Sequence, residues 1–293
     1  MAVLKRYIHK EGGFKVAIVD TTQIGRDVFS GIRPSPIALQ LLTQAMTGAL
    51  LLSADLKRDG TLLYRFKGDG PGGHLTVEAN TMGHVRGCMG DNFLDFDLQE
   101  GVDLFQIAMG SGNLSAKRKM EPDANIYSSV VEMVPGGIAL NYANYLLQSE
   151  QVASAVQIGV ALNPECGVQG AGGILIQAMP GANENLLFIL EQRLQEMKPL
   201  GNLFSEPDGH EQALAWLMDD MDVKPLKETG VKYFCNCTQQ RMLQVLSTLP
   251  ISDLEDMRKD NEALSINCSF CSKSYQVPPQ ELDVLIDMKT NPA

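Results

Sequence analysis

Four cysteines fall into two tight pairs, Cys235-Asn236-Cys237 and Cys268-Ser269-Phe270-Cys271, with 30 residues between them. Each pair has a spacing that lets two sulfurs turn toward one ion. A tetrahedral zinc cage needs four such donors at about 2.3 Å, and two close pairs supply them with little loop entropy to overcome. The competing reading, buried thiols acting as small hydrophobes, fits poorly beside Asn236, Ser269 and Ser272. The spacing therefore predicts one Zn²⁺ held by Cys235, Cys237, Cys268 and Cys271.

A four-thiolate site is also a store of reactive sulfur. A bound cation depresses each thiol pKa, so the ligands stand deprotonated at neutral pH and open to oxidants. Oxidising one ligand removes a donor, and a sulfenic acid condenses with a near neighbour to a disulfide. Cys235 with Cys237, and Cys268 with Cys271, are the pairs close enough in sequence to close locally. Zinc binding to small four-ligand domains is worth on the order of 10–16 kcal/mol. Losing it would unfold the surrounding segment.

The remaining candidates carry less. His9, His74, His84 and His210 are dispersed, outside any H-E-x-x-H frame. Cys88 and Cys166 are single and read as core or incidental thiols. Glu150 has no partner carboxylate in sequence and reads as a helix-end residue. No nucleophile, base and orienting group assemble into a catalytic set, so the chain is expected not to be an enzyme. The Gly68–Gly73 turn lacks the Lys-Ser/Thr of a phosphate loop and reads as a hairpin connection.

The charge narrows the partners. The 293 residues carry a net −11, of which residues 1–180 hold −3 and residues 181–293 hold −8. An acidic tail disfavours a phosphate-backbone partner. The basic run, Lys117-Arg118-Lys119, reads as a solvated strand or loop edge. The N-terminus lacks the apolar stretch of a signal peptide. The apolar window Ile37–Leu52 is interrupted by Gln40, Thr43, Gln44, Thr47 and Gly48 and is short for a bilayer span. A cytoplasmic location is expected, and no membrane partner. Thiols stay reduced there, so paired cysteines read as metal-binding or redox-reactive.

These groups must be positioned by three segments. Residues 1–180 read as an α+β core domain. Strands are expected at 4–8 and 14–19, then at 61–67, 74–80, 84–89, 104–109, 114–119 and 130–134, and at 153–162 and 171–179. Thr21 or Thr22 is expected to cap a short helix through Phe29. A second helix, opened by Pro34-Ser35-Pro36 and running from Ile37 to Leu56, is apolar on nearly every face and reads as a buried central helix. Another spans 136–148. Strands and helices are segregated rather than alternating, which favours α+β over a doubly wound sheet.

Residues 181–230 read as a metastable helical linker. Glu184–Met197 is amphipathic, and a second helix around Glu211–Met218 runs into Asp219, Asp220 and Asp222, whose charges oppose the helix dipole. Residues 231–293 read as a small zinc domain. A helix is expected at 238–246, a capping box at Ser252–Glu255, a hairpin at 264–277 around the second pair, and a closing helix from Pro278. Few large apolar groups lie in this segment, so the metal must supply most of its folding free energy.

The chain resembles the bacterial family of 33-kilodalton heat-shock, redox-regulated chaperones. The resemblance rests on Phe234-Cys-Asn-Cys-Thr-Gln-Gln-Arg241, Cys268-Ser-Phe-Cys271 followed by Tyr275, Ser149-Glu-Gln151, Gly172-Gly-Ile-Leu-Ile-Gln-Ala-Met-Pro180 and Gly68-Asp-Gly-Pro71. It spans nearly the whole chain. One departure is Thr238-Gln-Gln-Arg241, where the family commonly carries Ser-x-Glu-Arg; this touches a helix start, not the ligands. The resemblance implies an ATP-independent holdase that is inactive when reduced and zinc-loaded. Peroxide with heat, or hypochlorite, would release zinc and form Cys235–Cys237 and Cys268–Cys271 disulfides. Tail and linker would then unfold, expose apolar surface, and let the protein dimerise and hold unfolding clients. A zinc-ribbon nucleic-acid or transcription adaptor is the alternative, against which the −11 charge weighs. A thiol oxidoreductase would need a thioredoxin-like β-α setting that the sequence lacks.

Overall fold

The computed structural model describes residues 2–57, 59–96, 101, 103–120, 125–219, 221–259 and 262–290. The chain divides into two compact units, Met1–Phe234 and Cys235–Ala293. Asp220, one of the three aspartates expected to follow the 211–218 helix, lies outside the described residues.

The first unit opens with β1 (Val3–His9) and β2 (Phe14–Asp20), followed by α1 (Thr22–Ile32) and α2 (Pro36–Ser53). Thr21 holds the cap position of α1 without a side-chain capping bond. The Asp20 carboxylate instead accepts from the Thr22 N–H at 2.8 Å, and the Thr21 and Thr47 hydroxyls pair at 2.6 Å. Ser35 does cap α2, accepting from the Ala38 N–H, with Pro36 at the first turn where its missing donor costs nothing. Buried residues lie on every face of α2, so it forms the axis of the unit. It is the one described helix long and apolar enough to cross a membrane, and 83% of that window is buried within the protein. Gly48 is needed there because a Cβ would stand 2.1 Å from the ring of Tyr142.

Five strands follow in β-rich sequence with one short helix: β3 (Thr61–Gly68), β4 (His74–Asn80), β5 (His84–Met89), α3 (Leu104–Met109), β6 (Gly112–Lys119) and β7 (Ile126–Glu132). The 104–109 segment is a helix, not the expected strand. Asp103 accepts from the N–H groups of Phe105 and Gln106, and Gly110 at φ +66° closes the other end. A side-chain cap at one end and a left-handed glycine at the other outweigh the strand-like apolar run. After it come α4 (Gly137–Glu150), β8 (Ser154–Leu162) and β9 (Val168–Ala178).

The 181–230 segment contains α5 (Glu184–Glu196), α6 (Leu200–Leu203), α7 (Gly209–Met218), β10 (Val223–Pro225) and β11 (Thr229–Gly230), and β12 (Lys232–Tyr233) ends the unit. One sheet runs β10-β1-β2-β9-β8, with β11 also on β1; the other runs β12-β5-β4-β3-β6-β7. Alternation along β2 and β9 explains how the first sheet serves two cores. Ala17, Val19 and Leu175 face the cluster around α2, whereas Phe14, Val16, Ile18, Ile174 and Ile176 meet Leu190, Leu194, Leu203, Ala213 and Leu217 of α5–α7. At α6 the approach is backbone to backbone: a Cβ on Gly201 would sit 2.4 Å from the Ala161 nitrogen.

The second unit holds α8 (Gln239–Leu246), α9 (Ile251–Lys259), β13 (Leu264–Asn267), β14 (Ser274–Val277) and α10 (Pro279–Thr290). The expected capping box at Ser252 is not used; α9 starts a residue earlier and the Ser252 hydroxyl donates to Asp253. Among the described residues, the buried hydrophobic cluster here comprises only Leu246, Leu254, Val277 and Leu282. The observed architecture is α+β, with a buried central helix, a helical segment and a small cysteine-bearing unit.

Candidate metal centre

Two turns bring the four cysteines together. In the first, Thr238 accepts from the Arg241 N–H to cap α8, and the Arg241 guanidinium donates to the Asn236 carbonyl at 3.2 Å. One helix start thereby fixes the C-x-C turn at two points. In the second, β13 and β14 pair from Leu264↔Val277 to Asn267↔Ser274. The Cys268 N–H donates to the Lys273 carbonyl and the Ser272 N–H to the Cys268 carbonyl, with Ser272 at φ +58°. That turn carries Cys271 back toward Cys268. Gln239 on α8 donates to the Gln276 carbonyl at 2.8 Å, which ties the two turns.

The four Sγ atoms all lie within 4.8 Å of one another. Cys235 and Cys268 sulfurs are 3.7 Å apart, and those of Cys237 and Cys271 are 3.4 Å apart. Donors at 2.3 Å around a tetrahedral centre stand about 3.8 Å from each other, so the cluster has the dimensions of a metal cage. All four are thiols rather than disulfides, and Cys268 is buried. The residues present fit a metal ion.

The electrostatics are uneven. Burial works to raise the Cys237 thiol, but hydrogen bonds from the Tyr275 hydroxyl and then from the neighbouring cysteines outweigh it and bring it down to about 7. Burial pushes the Cys271 thiol up, and its hydrogen bonds to Cys237, Cys235 and Cys268 push the same way. Tyr275 itself is raised to about 12, chiefly by its bond to Cys237. The Tyr275 hydroxyl lies 2.9 Å from the Cys237 carbonyl and 3.1 Å from its sulfur.

The other sequence candidates lie in the first unit and do not converge. His9 stacks on Phe14, His84 tilts against Phe234, and His210 packs edge-on to Phe204. Cys88 is buried in β5, and Cys166 is exposed in the β8–β9 connection. Glu150 does end α4, but it also accepts from the Tyr145 hydroxyl at 2.8 Å and pairs with Arg118. The basic run is thus not wholly a solvated edge, since the Arg118 side chain is only 11% exposed. Spacing gave no sign of that pair, whose members are 32 residues apart. In the sequence Tyr275 stands out only as a tyrosine four residues beyond Cys271.

Fold and site define a two-unit α+β protein whose small C-terminal unit is built around a four-sulfur cluster able to bind a metal ion. The model of the Hsp33 protein family matches residues 3–278, and the chain belongs to that family. A 33 kDa chaperonin of Desulforamulus reducens is 31% identical over 287 residues, covering 97% of this chain and 96% of the relative. One from Thermus thermophilus is 34% identical over 298 residues, covering 98% and 87%. The crystal structure of a 33 kDa chaperonin, a heat shock protein 33 homologue, from Thermotoga maritima shares the fold with a TM-score of 0.87 over 99% of both chains, at 24% identity. Family and relatives support a chaperone role, and chaperonins are not generally enzymes.

Proposed function

We propose that this chain is a redox-regulated, ATP-independent holdase, inactive when reduced and metal-loaded and activated by oxidative unfolding. The observation that carries the reading is the four-sulfur cluster in a unit whose buried hydrophobic cluster, among the described residues, is only Leu246, Leu254, Val277 and Leu282. A zinc ion bound to Cys235, Cys237, Cys268 and Cys271 would keep all four as thiolates and supply folding free energy that so small a core lacks. Two thiolates, one peroxide and two protons yield one disulfide and two waters. Closing Cys235 with Cys237 and Cys268 with Cys271 therefore converts all four donors and ends the hold on the ion. Hypochlorite, another two-electron oxidant, serves the same pairs.

The proposed division of labour follows the three segments. Residues 231–293 are the switch, 181–230 the metastable linker, and 1–180 the client-binding and dimerisation core. Lifting α5–α7 would uncover Phe14, Val16, Ile18, Ile174 and Ile176, a ready apolar surface for unfolded chains. The partners are unfolding or oxidatively damaged client proteins, with a homodimer on activation, acting in the cytoplasm under oxidative stress. The net −11 charge disfavours nucleic acid. Light scattering from a heat-denatured test protein decides the matter: oxidised protein should suppress aggregation and reduced, zinc-loaded protein should not. Equal suppression by both would reject the gating.

A further inference from the structure

Tyr275 sits at the midpoint of β14, opposite Ile266, and is 8% exposed. The Lys273 ammonium lies 5.3 Å over its ring. Strand pairing and burial thus fix a phenol whose hydroxyl is shared between the Cys237 carbonyl and sulfur, at 2.9 and 3.1 Å. When Cys237 is an anion, its charge draws that proton to sulfur, since hydrogen bonds to ionised acceptors are the stronger ones. A thiolate so solvated is a poorer nucleophile, because the lone pair that would attack is already engaged.

We propose that Tyr275 is a positioning residue that restrains Cys237 and so sets how much oxidant the switch requires. This rests on the redox reading above and deepens it. In the first step the Cys237 thiolate attacks one peroxide oxygen: the S–O bond forms, the O–O bond breaks, and hydroxide leaves and takes a proton. In the second, the Cys235 thiolate attacks the sulfenic sulfur: the S–S bond forms, the S–O bond breaks, and a second hydroxide leaves. The cysteine pair loses two electrons and the peroxide becomes two waters. The phenol opposes only the first step, where sulfur must give up the hydrogen-bonded lone pair.

Zinc-loaded, reduced wild type, Tyr275→Phe and Tyr275→Leu are treated with excess hydrogen peroxide. Metal release is followed with a chromogenic indicator, and sulfenic acid is trapped with a dimedone-type probe and located by mass spectrometry. Tyr275→Phe keeps the ring and loses the donor, so it should label first at Cys237 and release metal about three- to tenfold faster, the share of a charge-assisted hydrogen bond that a thiolate's Brønsted dependence passes to its rate. If Tyr275→Phe matches wild type in rate and site while only Tyr275→Leu differs, the ring matters for packing alone and the proposal falls. If Tyr275→Phe no longer loads zinc, a chelator competition reads lost affinity, and Tyr275 supports the ligands rather than restraining them. Retention of metal by oxidised wild type would reject the switch itself. Labelling rates at Cys237 would still decide the role of Tyr275.

Discussion

Glu150 closes α4 beneath a guanidinium that reaches it from β6, and the Tyr145 hydroxyl adds a second donor at 2.8 Å. Side-chain exposures of 11% for Arg118 and 29% for Glu150 place the pair in poorly hydrated surroundings. Burial alone would lower the Arg118 pKa; bonding to Glu150 and the nearby Tyr64 and Tyr145 phenols more than offset it and hold the side chain charged. Removing one member of such a pair leaves a charge without a counterpart, which costs about 3–5 kcal/mol, whereas replacing both with apolar groups is far cheaper. Glu150→Leu and Arg118→Met should each lower the urea midpoint strongly, and the double variant should recover at least half of the loss. Additive losses in that cycle would mean the two side chains act separately. The site is legible in sequence for a different reason. Two short cysteine spacings are local, so four ligands declare themselves in one dimension, but an ion pair between positions 118 and 150 exists only once β6 and α4 are packed.

At the scale of elements, α7 shows what holds the 181–230 segment to the sheet. Three acidic residues after the helix argue for a poorly held end, yet Arg193 of α5 donates to the carbonyls of Leu217 and Asp219, and the Trp216 indole donates back to the Arg193 carbonyl. A cation from a neighbouring helix meets the dipole that the local sequence leaves opposed. Near the other end of α7, His210 is largely enclosed, with its side chain 11% exposed. Burial lowers its pKa, with Lys5 of β1 adding to the effect and Glu211 of α7, Asp20 of β2 and a backbone hydrogen bond with Ile18 opposing it. The folded pKa thus lies below the unfolded value of about 6.5. The contribution to stability is complete above that value and is lost as pH falls through it toward the folded pKa, where the unfolded chain binds the extra proton. Urea unfolding at pH 7.5 and pH 5.5 should show wild type losing more stability than His210→Phe; an identical loss would remove His210 as the cause. Most elements are legible from period and turn residues, because each signal is local. The 104–109 helix is not, since it depends on which backbone donors Asp103 reaches.

Across the whole molecule, stability is distributed unequally. The first unit buries two large clusters, one around α2 and one beneath α5–α7. Among the described residues of the second, the buried hydrophobic cluster is Leu246, Leu254, Val277 and Leu282, with partners such as Leu243, Leu264 and Ile286 only partly covered. Its surface pairs add little: Arg258 with Asp283 and Lys259 with Asp256 lie where solvent and salt screen their attraction. Ordering the backbone opposes folding at every residue, and so thin a core offsets little of it. Metal binding at the four sulfurs, on the order of 10–16 kcal/mol in comparable small domains, would add a large favourable contribution. The molecule should therefore come apart in order. Stripping metal from the fully reduced protein with a strong chelator, with reductant present throughout, should abolish hydrogen-exchange protection in α8, α9, α10 and the β13–β14 hairpin, and leave α2, β2 and β9 protected. Zinc added back should restore it without any change in thiol count. A metal-free, reduced second unit that kept its protection would show that its apolar contacts suffice, and oxidation of the four cysteines would then have no means of unfolding it.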